Sequence, residues 1–144
     1  MSDLFNDKEE IDINNAFNAN DHIDSLCRNG RIRFIPHGRM NYKKGWAGIV
    51  EELINTIKRL PIEITSVSSD YGQLEIGFDC YQKTQEVRVW RAIDQAKYKS
   101  RQTCMECGGH SKRKIRGDTI VVICSDCIRI AESNGVTGTW LDRY

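Results

Sequence analysis

The stretch of sequence that decides the fold begins as Cys104-Met105-Glu106-Cys107 and ends as Cys124-Ser125-Asp126-Cys127, with sixteen residues between the two pairs. Zinc prefers four ligands in a tetrahedron, and thiolates bind it at about 2.3 Å. A Cys-x-x-Cys turn brings two sulfurs close enough to share one ion, and a second such turn completes the set. Four thiolates leave no open position for water or substrate. We therefore predict one structural Zn²⁺, bound by Cys104, Cys107, Cys124 and Cys127.

Redox pairs and disulfides are the alternatives for these cysteines. A redox Cys-x-x-Cys normally stands singly at a helix start within an alternating strand–helix fold, which this sequence does not predict. Disulfides are rare in the cytoplasm, where we expect this chain to work. His110 follows Cys107 by three residues and is an alternative ligand, although four cysteines already complete the shell. Cys27 and Cys80 have no partner at ligand spacing, so each is expected to be a small core residue.

The residues between and after the cysteine pairs indicate a zinc ribbon over residues 102–144. Three glycines in the 108–123 segment suit turns, and the run Ile120-Val121-Val122-Ile123 predicts a strand that returns to the second pair. A short helix is expected over 128–133, and the tail from 136 to 144 can dock as a strand. Some forty residues cannot build a sufficient hydrophobic core alone, so the metal is expected to replace one.

Residues 31–101 predict an α+β core in which two helices pack on a small antiparallel sheet. The first helix is predicted over 46–60 and ends before Pro61; its apolar face consists of Trp46, Ile49, Val50, Leu53, Ile54 and Ile57. Residues 62–79 predict a β-hairpin with its turn at 70–73. A second helix is expected over 85–101. A strand over 31–35 is predicted to end at Pro36, followed by a loop to Gly45.

The net charge of +1 hides two opposed blocks. Residues 1–27 carry seven acidic side chains against one lysine, and the 1–30 segment is expected to be helical or partly disordered. Five of its acids are candidates for binding a basic partner surface: Asp3, Asp7, Glu9, Glu10 and Asp12. Residues 97–116 carry seven basic side chains against Glu106. These are candidates for contacting phosphates: Lys97, Lys99, Arg101, Lys112, Arg113, Lys114 and Arg116.

Catalysis and membrane insertion are both disfavoured. Glu51 and Glu52 are adjacent on a helix and therefore point in different directions, and the three histidines are scattered in polar contexts. No serine elbow or phosphate loop is present, so we predict no catalytic residue. No apolar run approaches the roughly 18 residues of a membrane span. The acidic N-terminus lacks the order of a secretory signal, so we expect a cytoplasmic protein.

The order of motifs resembles that of small, uncharacterised zinc-ribbon proteins encoded by phages, prophages and bacteria. The resemblance covers roughly residues 45–131. It is carried by a helix that opens with Gly45-Trp46, a hairpin turn Tyr71-Gly72-Gln73-Leu74, and a helix that runs into residues 103–108. The chain departs from the pattern at Gln73, where a second glycine is expected, and at its full second Cys-x-x-Cys, where many relatives have Cys and His.

The resemblance implies a mobile-element origin and a host-cell cytoplasmic location, and it implies no particular activity. We expect a non-catalytic binding protein whose partner is a host protein, and which could inhibit a defence or nucleic-acid-processing machine. That last step is an analogy. DNA or RNA bound through the basic 97–116 region is the alternative, and a second copy of the chain is another possible partner.

Overall fold

The computed structural model describes residues 17–28, 32–117, 119–136 and 138–142. Its helices are α1 (Ala19–Cys27), α2 (Ala47–Ile57), α3 (Glu86–Ser100) and α4 (Ser125–Ser133), with 3₁₀ turns at Lys44–Trp46 and Lys83–Gln85. Its strands are β1 (Arg33–Asn41), β2 (Ile62–Asp70), β3 (Gln73–Cys80), β4 (Arg113–Arg116), β5 (Thr119–Val122) and β6 (Leu141–Asp142). The predicted α+β class is confirmed. The acidic candidates Asp3, Asp7, Glu9, Glu10 and Asp12 lie outside the described residues.

The predicted hairpin is present as β2 and β3, which pair antiparallel from Ile62↔Cys80 to Asp70↔Gln73. Two residues, Tyr71 and Gly72, form the turn, and both have positive φ angles, of 53° and 74°. Two-residue turns of this type match the right-handed twist of the strands they join. Glycine adopts this backbone without strain.

The first sheet has the order β1-β2-β3 and is mixed, because β1 runs parallel to β2. The expectation that the strand ends at Pro36 is wrong, since β1 continues to Asn41. The register shifts between Phe34 and Arg39, so residues 35–38 stand opposite Thr65 alone. Proline has no N–H to donate, and an irregular edge strand tolerates that loss.

Two helices share a hydrophobic core with this sheet. Helix α2 buries Val50, Leu53, Ile54 and Ile57, and α3 buries Val89, Ala92, Ile93 and Ala96. The two helices contact each other, and α3 also packs on β3. Burying a valine, leucine or isoleucine side chain contributes about 1.5–3 kcal/mol. The predicted helices therefore provide the cover that the hairpin needs.

The second sheet has the order β5-β4-β6. Its central strand β4 consists of Arg113–Arg116, a basic stretch between the cysteine pairs for which no strand was predicted. Basic residues have weak strand propensity, but β4 pairs on both sides, with β5 and with β6, and pairing overrides propensity. The tail does dock as a strand, since Leu141 pairs with Ile115.

The buried apolar residues of both sheets belong to one contiguous core. This core includes Trp46, Ile64 and Leu74 from the first part of the chain, and Val122 and Ile123 from the second. Folding of the cysteine-bearing part is therefore coupled to packing of the rest. In the part of the chain that the structure describes, no helix combines the length and apolarity that crossing a bilayer requires.

Candidate metal centre

Four cysteine sulfurs meet where the end of α3, the β5–α4 connection and the start of α4 converge. Cys104 and Cys107 follow α3 by four and seven residues, Cys124 is the N-cap of α4, and Cys127 lies in its first turn. All four sulfurs lie within 4.8 Å of one another. The chain therefore brings together the four residues that the spacing singled out.

The distances between the sulfurs suit a shared ion better than a covalent bond. Four sulfurs at about 2.3 Å from a tetrahedral centre lie roughly 3.8 Å apart. Cys107 Sγ and Cys124 Sγ are 3.6 Å apart. A disulfide would bring two sulfurs to about 2.05 Å, and all six cysteines are free. The arrangement therefore fits a metal site with four thiol ligands.

The first cysteine turn is built by short backbone hydrogen bonds. Cys104 N–H donates to Gly109 O at 2.6 Å, and Gly108 N–H donates to Cys104 O at 2.9 Å. Gly108 has φ +84°, a conformation that side chains rarely adopt. Gly109 N–H lies 3.4 Å from Cys107 Sγ and points at it. The turn thus fixes the two sulfurs and supplies a donor to one of them.

The second pair uses the beginning of a helix. Cys124 N–H donates to Cys104 Sγ at 3.3 Å, which links the two turns directly. The first N–H groups of a helix have no partner within the helix and carry partial positive charge, so they favour thiolates placed beside them. Metal ligands held by such donors keep their orientation and their charge.

Burial acts to raise the pKa of three thiols at the site, and hydrogen bonds reverse the direction at one of them. Burial raises the pKa of Cys104, and burial together with the negative charge of the nearby Cys104 thiolate raises the pKa of Cys127. At Cys124 burial also acts to raise the pKa, but hydrogen bonds from the Cys127 backbone and the neighbouring thiols outweigh it, so the pKa is lowered. Buried thiolates need a compensating positive charge, and a bound metal cation supplies one.

The first cysteine turn sits on residues just before α2. Gly45 N–H donates to Met105 O at 2.9 Å, and the indole Nε1–H of Trp46 donates to Thr103 O at 2.8 Å. Trp46 is completely buried. A Cβ on Gly45 would lie 2.2 Å from Cys104 O, so only glycine allows this approach. Gly45 and Trp46 therefore form the surface on which the metal-binding turn packs.

A buried ion pair joins the same two segments. Glu106, between the two cysteines of the first turn, has a fully buried side chain, and its Oε2 lies 3.1 Å from Lys43 Nζ. Sequence reasoning counted Glu106 only as an exception in a basic block and missed both Lys43 and the role of Gly45. Lys43, Gly45 and Trp46 are close together in the sequence. They lie about sixty residues before the turn, and no local pattern predicts a contact over that separation.

The remaining candidate ligands lie apart from this group. The side chain of His110 is exposed, and its backbone forms an isolated antiparallel bridge with Thr103. Cys27 is buried, and burial, assisted by the charge of Asp24, raises its pKa to about 11. Cys80 is partly exposed and donates to Gln82 O at 3.1 Å. Among the described residues, the metal-binding group contains the four cysteines and none of these three.

The seven basic candidates do not form one continuous cationic face. Lys97 pairs with Glu75 at 3.2 Å, and Lys99 pairs with Glu52. Arg116 is buried, with its guanidinium carbon 5.2 Å from the centre of the Trp140 ring. Lys114 is half-buried on β4. Arg101, Lys112 and Arg113 instead line a common groove.

Comparison of the chain with models of known protein families, with curated proteins and with solved structures finds no match.

Proposed function

We propose that the four cysteines hold one structural Zn²⁺ and that the zinc-stabilised chain acts by binding a partner protein. The metal assignment rests on the donor set, because four thiolates in a tetrahedron suit zinc or an iron–sulfur centre among biological metals. A complete shell of protein ligands leaves no position for water or substrate. The ion then stabilises the fold and takes no part in chemistry, which fits a non-catalytic protein.

The observation that carries the protein contact is an exposed apolar face on α3. Val87 is 60% exposed and Trp90 is 46% exposed. Residues three apart share a helix face, so the two side chains are neighbours. Tyr81, on the connection that leads into this helix, is also 60% exposed. Aromatic side chains, tryptophan above all, are enriched among the residues that dominate binding energy at protein interfaces.

Trp90 is held in place although much of it is accessible. Its ring meets the Phe78 ring of β3 edge to face, with centroids 5.0 Å apart. A fixed aromatic side chain loses little conformational entropy on binding, which favours affinity. We therefore expect the partner to offer an apolar pocket that receives Trp90.

The acidic segment supplies a second contact in this proposal. Residues 1–12 carry Asp3, Asp7, Glu9, Glu10 and Asp12 against Lys8, which suits a basic surface on the partner. The resemblance to phage-encoded proteins supports a host protein as that partner, including a defence or nucleic-acid-processing enzyme that the chain would inhibit. The basic residues of the 97–116 block are dispersed and do not form one face. This favours a protein over an extended nucleic acid as the principal partner.

Native mass spectrometry of complexes purified from the host background tests this proposal, with and without nuclease. We expect a stoichiometric, nuclease-insensitive partner protein that is lost from Val87→Ser and from Val87→Ser/Trp90→Ser. Ile130→Ser is the matched control, because Ile130 on α4 is also 46% exposed. Retention of the partner by the double variant, or loss of all extra mass on nuclease treatment, would overturn the proposal.

A further inference from the structure

A groove of about 370 Å³ lies between the C-terminal end of α3 and the segment that leads from the first cysteine turn to β4. The helix side contributes Tyr98, Arg101 and Gln102, and the other side contributes His110, Lys112 and Arg113. No acidic side chain is among the described residues that line it. The groove is therefore a cationic recess next to the metal centre.

Both walls of the groove are fixed by hydrogen bonds. Ser111 N–H donates to Gln102 O at 2.9 Å and joins the two walls directly. The Ser111 hydroxyl donates to Ile123 O at 2.8 Å, which ties the same wall to the residue before Cys124. A preformed recess binds a ligand without first losing the entropy of ordering its walls.

Two arginine side chains in the groove are available to contact a ligand. Within the described part of the chain, neither Arg101 nor Arg113 forms an ion pair. Arg101 also has a buried Nε atom without a hydrogen-bond partner. The stem of Arg113 is held at the hairpin turn, since a Cβ on Gly72 would lie 3.0 Å from Arg113 Cδ. Arginine presents a planar fork of donors that matches a phosphate group.

Tyr98 adds a flat aromatic surface to these cations. It is 60% exposed, although it lies on a helix whose opposite face is buried. Exposed aromatic rings beside cationic side chains form stacking platforms for nucleic-acid bases. A helix C-terminus carries partial negative charge that disfavours anions. Here Arg101 N–H and the hydroxyls of Ser100 and Thr103 already bond the last carbonyls.

We infer that this groove binds a nucleotide unit, with its phosphate on Arg101 and Arg113 and its base stacked on Tyr98. The inference goes beyond the proposed protein contact and does not depend on it, because Tyr98 lies about 12 Å along the helix from Trp90 at 1.5 Å per residue. The unit is either a free nucleotide or part of a single strand. Both present the same phosphate and ring.

The test is an NMR titration of the full-length, zinc-loaded chain with two probes, adenosine monophosphate and a thymidine oligonucleotide of about four residues. We expect shifts at the groove residues, and weaker binding at higher salt. Arg101→Gln/Arg113→Gln should weaken binding about tenfold or more, because charge-assisted hydrogen bonds are lost. Tyr98→Leu should weaken it about fivefold or more through lost stacking.

Arg91→Gln is the matched control, since Arg91 is an exposed arginine on the same helix that does not line the groove. This substitution should change the affinity for either probe by no more than about twofold, as expected for a charge that contacts no phosphate. Zinc content and circular dichroism are measured for each variant to establish that it is folded. If the double arginine variant is not folded, Tyr98→Leu alone tests the groove. Tighter binding of the oligonucleotide identifies a single strand, and equal binding identifies a free nucleotide.

Three outcomes would overturn the inference. One is that neither probe shifts the groove residues at low salt. Another is that Arg91→Gln weakens binding as much as the groove variants do. The third is that a phosphopeptide binds the groove more tightly than either probe, which would assign the recess to a protein ligand.

Discussion

At Gly45 the chain before α2 touches the backbone of the metal-binding turn. We expect Gly45→Ala to lower the free energy of unfolding by about 1–3 kcal/mol, the usual cost of overpacking, because the new Cβ would lie 2.2 Å from Cys104 O. Backbone atoms on both sides leave no flexible side chain to move aside. Denaturant unfolding of the zinc-loaded protein measures the change.

Gly48→Ala is the control for that substitution. Gly48 lies one turn further, inside α2, and a Cβ there meets nothing within 4 Å. Alanine is the better helix former by about 0.8–1 kcal/mol, so this variant should gain stability. Equal effects from the two substitutions would mean that Gly45 does not determine how the turn docks.

The Lys43–Glu106 ion pair is the second contact at this scale. Lys43→Met leaves the buried Glu106 carboxylate without its lysine, and removing one partner of a buried pair costs about 3–5 kcal/mol. Lys43→Met/Glu106→Gln removes both charges and should recover much of the loss. Unfolding of the two single variants and the double variant gives the coupling energy. Additive losses would contradict a direct interaction.

At the scale of elements, helix α1 docks on β1 through a small aromatic cluster. His22 Nδ1 lies 2.6 Å from the Tyr42 hydroxyl, and Phe17 packs against both rings. Burial lowers the pKa of His22 from its ordinary value of 6.5, partly opposed by the negative charge of Glu51. The folded state therefore favours the neutral imidazole more than the unfolded state does.

This shift predicts the direction of a pH effect on α1. As pH falls, the unfolded chain takes up a proton at His22 before the folded chain does. The contribution of this pKa shift to the free energy of unfolding is therefore complete above pH 6.5 and declines as pH falls below it. We expect His22→Gln to flatten this part of the stability profile. Denaturation of the zinc-loaded protein and the variant at several pH values measures it. If the stability of the protein and of the variant changes with pH in parallel, His22 is not the group responsible.

Element by element, local patterns in the sequence predict the structure well and long-range contacts poorly. The 3.6-residue period of α2 and the turn chemistry at Tyr71 and Gly72 act over a few residues, and both helix and hairpin are found. The continuation of β1 past Pro36 depends on its edge position, which no local pattern encodes. The basic residues of β4 form a strand only because β5 and β6 pair with it.

The metal site follows the same rule. The spacing of the four cysteines restricts them to one site, and their sulfurs do meet. The surroundings of the site were not predictable, because Lys43, Gly45 and Trp46 come from about sixty residues earlier in the chain. The spacing of the cysteines predicts which residues form the site, whereas only the fold shows which residues support it.

For the whole molecule, the metal and the hydrophobic core are expected to act together. Structural zinc sites contribute about 10–16 kcal/mol of apparent binding free energy, whereas domains of this size have a net stability of about 5–15 kcal/mol. The contiguous core reaches from Trp46 to residues beside the cysteines. We therefore expect chelation to unfold the cysteine-bearing part and to loosen the sheet and helices against which it packs.

Native mass spectrometry of the purified chain, before and after chelation, tests the central claim most directly. We predict one zinc ion per chain, and a shift to the higher charge states of an unfolded protein once the ion is removed. Replacement of Cys104 by serine should give the same shift without chelator. A folded chain that carries no metal, or one that keeps its compact charge states after chelation, would contradict the account.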